Sequence, residues 1–272
     1  MDIANYLRRI NYSGTVKCDL QSLSALQYQH LINIAFEDAD IFYGRPIALD
    51  IASFYEKVVN HKRGGYCYEL NGLFYQLLLS QGFDVSMISA RVANGKSYGP
   101  EYDHMALLVK VSDKEWLVDV GFGDFSMMPL MIEPGMIQND GRHYYRIQDK
   151  VMVDGRAYLS VEKWNSATKT FKTEYIFTTR PRALSSFAAM HTYHQSSPDS
   201  HFVRNFICSV PTANGRISIV NNKLIKTENG KKEPHLISSE LQRFYLLQDL
   251  FGIELTKSTM ATARLPNTFY NQ

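Results

Sequence analysis

Cysteine is scarce in this 272-residue sequence, and the three that occur, Cys18, Cys67 and Cys208, are far apart and form no C-x-x-C pair. This pattern argues against a disulfide-stabilised fold and a zinc site, and it fits a protein of a reducing compartment. Long apolar runs are also missing: no stretch of about 20 apolar residues occurs, and residues 1–9 lack the apolar region of a signal peptide. We therefore expect no membrane span and a cytoplasmic location.

An excess of one charge sign is missing as well. Lys and Arg total 29, Asp and Glu total 27, and no long basic run occurs, so we expect no nucleic-acid or anionic membrane partner. The sequence contains no Walker phosphate loop, H-E-x-x-H or G-x-S-x-G, so nucleotide hydrolysis and metalloprotease chemistry have no support. His191, His194 and His201 form a loose group with metal-binding side chains, but packing is the commoner role for such histidines. We expect no metal.

Hydrophobic spacing changes along the chain. In the first eighty residues apolar side chains recur at helical spacing, and Asp2 is placed to cap the first helix. From about Asp84 the period changes towards two, which predicts strands at residues 85–92, 105–111, 116–120, 144–153, 157–161 and 171–177. Closely spaced strands without helices between them favour an antiparallel barrel or a strongly curled sheet.

The last third of the sequence is mixed. A hairpin is predicted around Asn221-Asn222, followed by a helix that Ser238 caps and that ends before Gly252. The changes of pattern place domain borders near residues 83 and 185. We therefore predict an α+β fold with three domains at 1–83, 84–185 and 186–272.

The stretch Arg63-Gly64-Gly65-Tyr66-Cys67-Tyr68-Glu69-Leu70-Asn71-Gly72 delivers a cysteine into the first turn of a predicted helix. Unpaired N–H groups and the positive end of the helix dipole lie at such a position, and both favour a thiolate over a thiol. Cys67 is therefore a candidate nucleophile. The alternative is a small buried core residue, since free cysteine is among the most buried residue types.

A thiolate nucleophile needs a base, and the base needs a partner that fixes its tautomer. His104 and Asp119 are the best candidates, and they lie on two predicted strands joined by a short turn. A hairpin centred between Asp113 and Lys114 would place Asp119 opposite Leu108. His104 would then point to the same side but lie about 14 Å away at roughly 3.4 Å per residue, so a bulge or another register is required.

These residues resemble the arylamine N-acetyltransferase family. The family's R-G-G-x-C-x-E-x-N signature matches residues 63–71, and Asp103-His104-Met105 and Val118-Asp119-Val120-Gly121-Phe122-Gly123 follow at family-like spacing. Ala35-Phe36-Glu37-Asp38 with Gly44-Arg45-Pro46-Ile47 is similar to the family's N-terminal region. Ser197-Pro198-Asp199-Ser200-His201-Phe202 is similar to a segment of its third domain. The resemblance covers most of the chain.

The resemblance implies a helical first domain, an antiparallel β-barrel and an α/β lid around a core like that of papain-like cysteine proteases. It also implies a catalytic triad of Cys67, His104 and Asp119. In such an enzyme, the cysteine takes the acetyl group from acetyl-CoA, and an arylamine, arylhydrazine or N-hydroxyarylamine then attacks the thioester. Val92 and Phe125 match positions that line the acceptor pocket of relatives.

The resemblance further places Ser97, Tyr98 and Gly99 near the pantetheine arm of CoA, in a loop that is shorter than in the mammalian enzymes. Two alternatives stay open: a thiol amidase or peptidase with the same triad, and a catalytically silent protein that keeps the fold to bind a small ligand. The sequence leaves open the acceptor amine, the acyl chain of the donor and the oligomeric state.

Overall fold

The computed structural model describes residues 1–95 and 97–255. Its N-terminal part is helical, and three helices begin at an aspartate whose side chain accepts the N–H three residues on: Asp2, Asp19 and Asp50. The predicted Asp2 cap is confirmed. The helices are α1 (Ile3–Arg9), α2 (Leu20–Asn33), α3 (Ala39–Phe42), α4 (Ile51–Tyr55, continued by a π-helical turn, Glu56–Asn60) and α5 (Cys67–Ser80).

A nine-stranded antiparallel sheet follows α5, in the order β6-β5-β4-β2-β10-β9-β8-β7 with β3 paired to β2. Its strands are β2 (Asp84–Asn94), β3 (Ser97–Tyr98), β4 (His104–Val111), β5 (Lys114–Val118), β6 (Leu130–Met131), β7 (Ile137–Asn139), β8 (Tyr144–Val153), β9 (Arg156–Asn165) and β10 (Thr170–Phe177). The six predicted strands are confirmed, and the short β3, β6 and β7 are additional.

One side chain joins the two edge strands of this sheet, β6 and β7. The amide of Gln138 on β7 accepts the N–H of Met131 over 2.7 Å and donates to the Met131 carbonyl over 2.9 Å. A side-chain amide thus takes the place of a ladder pair between β6 and β7, and the sheet curls into a nearly closed barrel. Its interior holds large apolar and aromatic side chains, including Leu108, Tyr145 and Tyr175.

The hairpin between β4 and β5 differs from the predicted register. Leu107 pairs with Val118 and Val111 with Lys114, so the two-residue turn is Ser112-Asp113 rather than a turn centred after Asp113. Both turn residues have positive φ, 50° and 61°, which matches the twist of a tight hairpin. Continued past Val118, this register places Asp119 nearest Ala106, two residues from His104 instead of four.

A second sheet has the order β1-β11-β12-β13-β14 and combines one strand from the N-terminal part with four from the last third of the chain. Its strands are β1 (Phe36–Glu37), β11 (Ile207–Thr212), β12 (Gly215–Val220), β13 (Lys223–Glu228) and β14 (Lys231–Leu236), accompanied by α6 (Ala188–Ser196), α7 (His201–Arg204) and α8 (Glu240–Phe251). The predicted Asn221-Asn222 hairpin is confirmed. Ser239, not Ser238, caps α8, because its hydroxyl accepts the N–H of Gln242.

The borders near residues 83 and 185 stay predictions. Among residues 1–95 and 97–255, no helix combines the length and the hydropathy that a bilayer span requires.

Candidate active site

Cys67 is the first residue of α5, as its sequence context predicts. The helix start is held by Glu69, whose Oε2 accepts the N–H of Tyr66 over 3.1 Å. The turn before it passes close to the N-terminal chain: a Cβ on Gly64 would lie 2.2 Å from the carbonyl oxygen of Ala35. Glycine is therefore required at Gly64 by close backbone contact, and the turn brings Cys67 into the interior with 2% of its surface exposed.

A buried group of charged side chains lies beneath this turn. Arg63 donates twice to Glu37 Oε1, over 3.0 Å and 2.7 Å. Lys57 Nζ lies 2.8 Å from Asp40 Oδ2 and 2.9 Å from Glu69 Oε2. Burial raises the pKa of Glu69 to about 7, although the positive charge of Lys57 opposes that rise. Arg63 and Glu69 thus brace the turn through ion pairs with other elements.

His104 and Asp119 form a hydrogen bond. The hairpin register predicted from the sequence had placed them too far apart for one. His104 Nε2 lies 2.7 Å from Asp119 Oδ2, and both side chains are buried. Because the N–H of Nε2 donates to the carboxylate, Nδ1 is left as the basic nitrogen of the ring. The shorter turn after β4 is what brings the two residues together.

Asp119 is fully buried, and its other lone pairs are also occupied. Oδ1 accepts the side-chain N–H of Asn71 over 2.9 Å and the backbone N–H of Gly121 over 2.9 Å. Oδ2 accepts the hydroxyl of Tyr175 over 3.1 Å. Four donors surround one carboxylate, so its charge is stabilised without solvent. Sequence reasoning missed Tyr175; the only available signal was that a buried acid among apolar strands needs several donors.

The sulfur of Cys67 has an environment that differs from the sequence expectation. Burial raises the pKa of the Cys67 thiol well above its ordinary value, and the negative charges of Asp103 and Asp119 raise it further. Hydrogen bonds from the backbone N–H groups of Met105 and Tyr68 oppose this rise. Desolvation thus outweighs the helix terminus, and the burial of Cys67 works against the thiolate that its helix position favours.

The residues expected to bind the acceptor contact neighbours of His104 and Asp119, namely Phe122 and Tyr175. Phe125 is buried, with its ring centroid 5.4 Å from that of Tyr175 and 5.7 Å from that of Phe122. Phe122 in turn packs edge-on against His104, with centroids 5.1 Å apart. Val92 is half-buried and pairs with Tyr175 across β2 and β10.

The loop expected near CoA forms a short hairpin. Ser97 and Tyr98 pair with the end of β2, and Ser97 is exposed. Gly99 donates its N–H to the carbonyl of Val92 over 2.8 Å. The hairpin therefore lies at the end of the strand that carries Val92.

The histidines of the last third of the chain make hydrogen bonds and packing contacts with other residues. His191 accepts the hydroxyl of Tyr66 at Nδ1, and its Nε2 donates to the Ile47 carbonyl over 2.8 Å. His194 is buried against Tyr68 and Phe202. Within the described part of the chain, no group of three or more His, Cys, Asp or Glu side chains is arranged to hold a metal ion.

Comparisons with known proteins agree with this geometry. The family model described as N-acetyltransferase matches residues 19–260. Among curated proteins, a pineal-gland arylamine N-acetyltransferase of Gallus gallus is 32% identical over 94% of this chain and 96% of its own length. The arylamine N-acetyltransferase of Mycolicibacterium smegmatis is 32% identical over 94% of this chain and 93% of its own.

Solved structures give the same result. The arylamine N-acetyltransferase of Mycobacterium abscessus has a TM-score of 0.91 at 25% identity, covering 100% of this chain and 96% of that one. That of Mycobacterium marinum in complex with CoA has a TM-score of 0.85 at 29% identity, covering 96% and 94%. These likenesses confirm the predicted α+β fold. The chain therefore belongs to the arylamine N-acetyltransferases, a family of acyl-transferring enzymes.

Proposed function

We propose that this protein transfers the acetyl group of acetyl-CoA to arylamines and arylhydrazines, and to the hydroxyl of N-hydroxyarylamines, in the cytoplasm. The reaction proceeds in two steps through an acetyl-Cys67 thioester. The main support for the proposal is the 2.7 Å hydrogen bond between His104 and buried Asp119. His104 lies on a strand that adjoins the start of the Cys67 helix. The CoA complex of the Mycobacterium marinum relative supports CoA as the product that leaves in the first step.

In the first step, His104 Nδ1 takes the proton of the Cys67 thiol, and Asp119 stabilises the resulting imidazolium. The thiolate attacks the carbonyl carbon of acetyl-CoA and forms a tetrahedral intermediate. Backbone N–H groups at the start of α5 stabilise its oxyanion. The bond from carbon to the CoA sulfur then breaks, and the departing CoA thiolate takes the proton from His104.

In the second step, the nitrogen of the acceptor amine attacks the carbonyl carbon of acetyl-Cys67, and His104 accepts the amine proton. The bond to the Cys67 sulfur breaks, which releases the acetylated amine and regenerates the ion pair. Val92 and Phe125 line the acceptor site beside His104, and Ser97, Tyr98 and Gly99 lie along the pantetheine arm. No step requires a metal.

The test is the intact mass of the protein after incubation with acetyl-CoA alone, followed by peptide mapping. We expect one acetyl group on Cys67 that is lost when an arylhydrazine is added. Cys67→Ser should remain unmodified, whereas Cys18→Ser, at an exposed cysteine far from the triad in sequence, should behave as wild type. CoA release without a stable adduct would indicate hydrolysis of the thioester. If no donor yields an adduct or CoA, the protein is a silent ligand-binding member of its family.

A further inference from the structure

The backbone just before His104 is strained. Tyr102 has φ of 66°, a left-handed conformation that is unfavourable for a residue with a large side chain. Its N–H donates to Ser89 Oγ over 2.8 Å, and its carbonyl accepts the hydroxyl of Tyr68. A strained residue of this kind persists only where its surroundings hold it in place.

The next residue is held from a different element. His194 on α6 lies with Nε2 3.1 Å from the carbonyl oxygen of Asp103, whereas the nearer carboxylate oxygen of Asp103 is 4.0 Å away. The His194 ring is buried, with its centroid 5.7 Å from that of Tyr68 and 5.1 Å from that of Phe202. Burial lowers the pKa of His194 to about 4, so the ring is neutral at physiological pH and donates through its single N–H.

We propose that Tyr68 and His194 are positioning residues that hold the strained Tyr102-Asp103 turn and thereby fix the imidazole of His104 against the Cys67 thiol. This role rests on the proposed function, in which His104 is the base. Neither side chain bonds to a member of the triad, so each acts through the backbone of the turn.

Tyr68 and His194 connect the Tyr102-Asp103 turn to two different helices. Tyr68 directly follows Cys67 on α5, so its hydrogen bond to Tyr102 ties the helix of the nucleophile to the start of the strand that carries the base. His194 ties the same turn to α6, in the C-terminal third of the chain. Relaxation of Tyr102 to an ordinary φ would rotate the peptide before His104, and displacement of a catalytic group by about 1 Å is enough to slow a reaction strongly.

The experiment measures the rate of Cys67 alkylation by iodoacetamide against pH, with peptide mapping to separate Cys67 from exposed Cys18. In wild type, proton transfer to His104 supplies thiolate near neutral pH. Tyr68→Phe and His194→Phe keep the aromatic rings but remove the donors. We expect each to slow alkylation at pH 7 roughly tenfold and to approach the wild-type rate at high pH, where the thiol ionises by itself.

Two further variants make the test specific. His194→Gln places an N–H close to the position of Nε2 and should recover most of the rate that His194→Phe loses. Tyr43→Phe removes a buried tyrosine hydroxyl bonded to Glu240, outside this turn, and should alkylate as wild type. Circular dichroism and thermal unfolding identify any variant that fails to fold. If another variant does not fold, the alkylation rate of Tyr68→Phe, the mildest change, decides the test.

His104→Asn separates the two proposals. If His104→Asn slows alkylation while folded Tyr68→Phe and His194→Phe match wild type at every pH, the positioning role is wrong and the proposed base remains. If His104→Asn also alkylates as wild type, the pairing of thiol and imidazole is wrong, and the positioning role falls with it.

Discussion

Asn71 connects the helix of Cys67 to β4, which begins at His104, and to the segment Asp119-Val120, which directly follows β5. Its side-chain N–H groups donate to the Met105 carbonyl over 2.7 Å and to Asp119 Oδ1 over 2.9 Å, and its Oδ1 accepts the N–H of Val120 over 3.0 Å. One amide on α5, a turn after Cys67, thus satisfies groups on Met105, which follows His104, on Asp119, and on Val120, which follows Asp119.

Asn71→Ala should therefore lose both activity and stability. The change leaves the buried N–H of Val120 without its acceptor, which costs about 1–3 kcal/mol in the free energy of unfolding. It also releases Asp119, so kcat/KM for arylamine acetylation should fall by at least about tenfold. Urea unfolding and steady-state kinetics measure the two effects.

Asn33→Ala is the matched control. Asn33 also donates to two carbonyls, those of Ile10 and Gln29, but these lie in the helical N-terminal part away from the triad residues. It should lose stability and keep its kcat. Equal loss of kcat in the two variants would contradict a specific role for Asn71.

Gly121→Ala should disrupt the same contact from the other side. A Cβ on Gly121 would lie 2.7 Å from Asn71 Nδ2 and 2.8 Å from the Cα of Cys67. The helix start must then move away from Asp119, because a backbone atom cannot rotate out of the contact. We expect acylation of Cys67 by acetyl-CoA, followed by mass spectrometry, to slow at least about tenfold in protein that remains folded. An unchanged acylation rate would show that the α5 start and Asp119 need not be in contact.

Lys57→Met should be strongly destabilising. The Lys57 ammonium is nearly buried and contacts the carboxylates of Asp40 and Glu69, with Glu37 Oε1 3.7 Å away. Removing one partner of a buried charge group leaves the others uncompensated, at a cost of about 3–5 kcal/mol. The free energy of unfolding in urea measures the loss.

Lys110→Met is the control for Lys57→Met. Lys110 lies 3.8 Å from Glu115 with both side chains largely exposed, and such surface pairs contribute at most about 1 kcal/mol. If the two variants lose similar stability, the buried charged group beneath the turn before Cys67 is not held together by Lys57.

His30 should make the protein sensitive to acid. Its ring is buried between Tyr6 and Phe74, and neither ring nitrogen has a hydrogen-bond partner among the described residues. Burial, aided by the positive charge of Arg9, lowers the pKa of His30 from 6.5 to about 3. Between these two pH values, the unfolded chain binds a proton on His30 that the folded chain does not bind. The free energy of unfolding therefore falls as the pH drops from the higher value to the lower. The slope from this group is about 1.4 kcal/mol per pH unit.

His30→Leu should flatten the fall in the free energy of unfolding between about pH 6 and about pH 4. His194, which is also buried and neutral, leaves part of the slope in place. His61→Gln, at an exposed histidine beside Glu56, removes no buried imidazole and serves as the surface control. An unchanged slope in His30→Leu would mean that His30 is already hydrated or charged in the folded protein.

Local pattern predicted the elements that carry the chemistry. The spacing after Cys67 predicted α5 with the cysteine at its first turn, and alternation predicted β4, which begins at His104, and β5, which ends one residue before Asp119. These features depend on neighbours within a few residues, so they can be inferred from the order of residues alone. The family resemblance was confirmed over most of the chain, while the catalytic roles of the three residues stay predictions.

The sequence by itself determined the helix start at Cys67, the strands of the barrel and the identity of the family. Only the tertiary structure decided the hairpin register, because a two-residue turn and a longer one both suit Ser112-Asp113-Lys114-Glu115, and they differ in how far apart His104 and Asp119 end. Distant segments likewise supplied Tyr175, His194 and the partners of Lys57. Burial of Cys67 reversed the effect expected from its helix terminus, because desolvation depends on everything packed around the sulfur and not on the residues beside it.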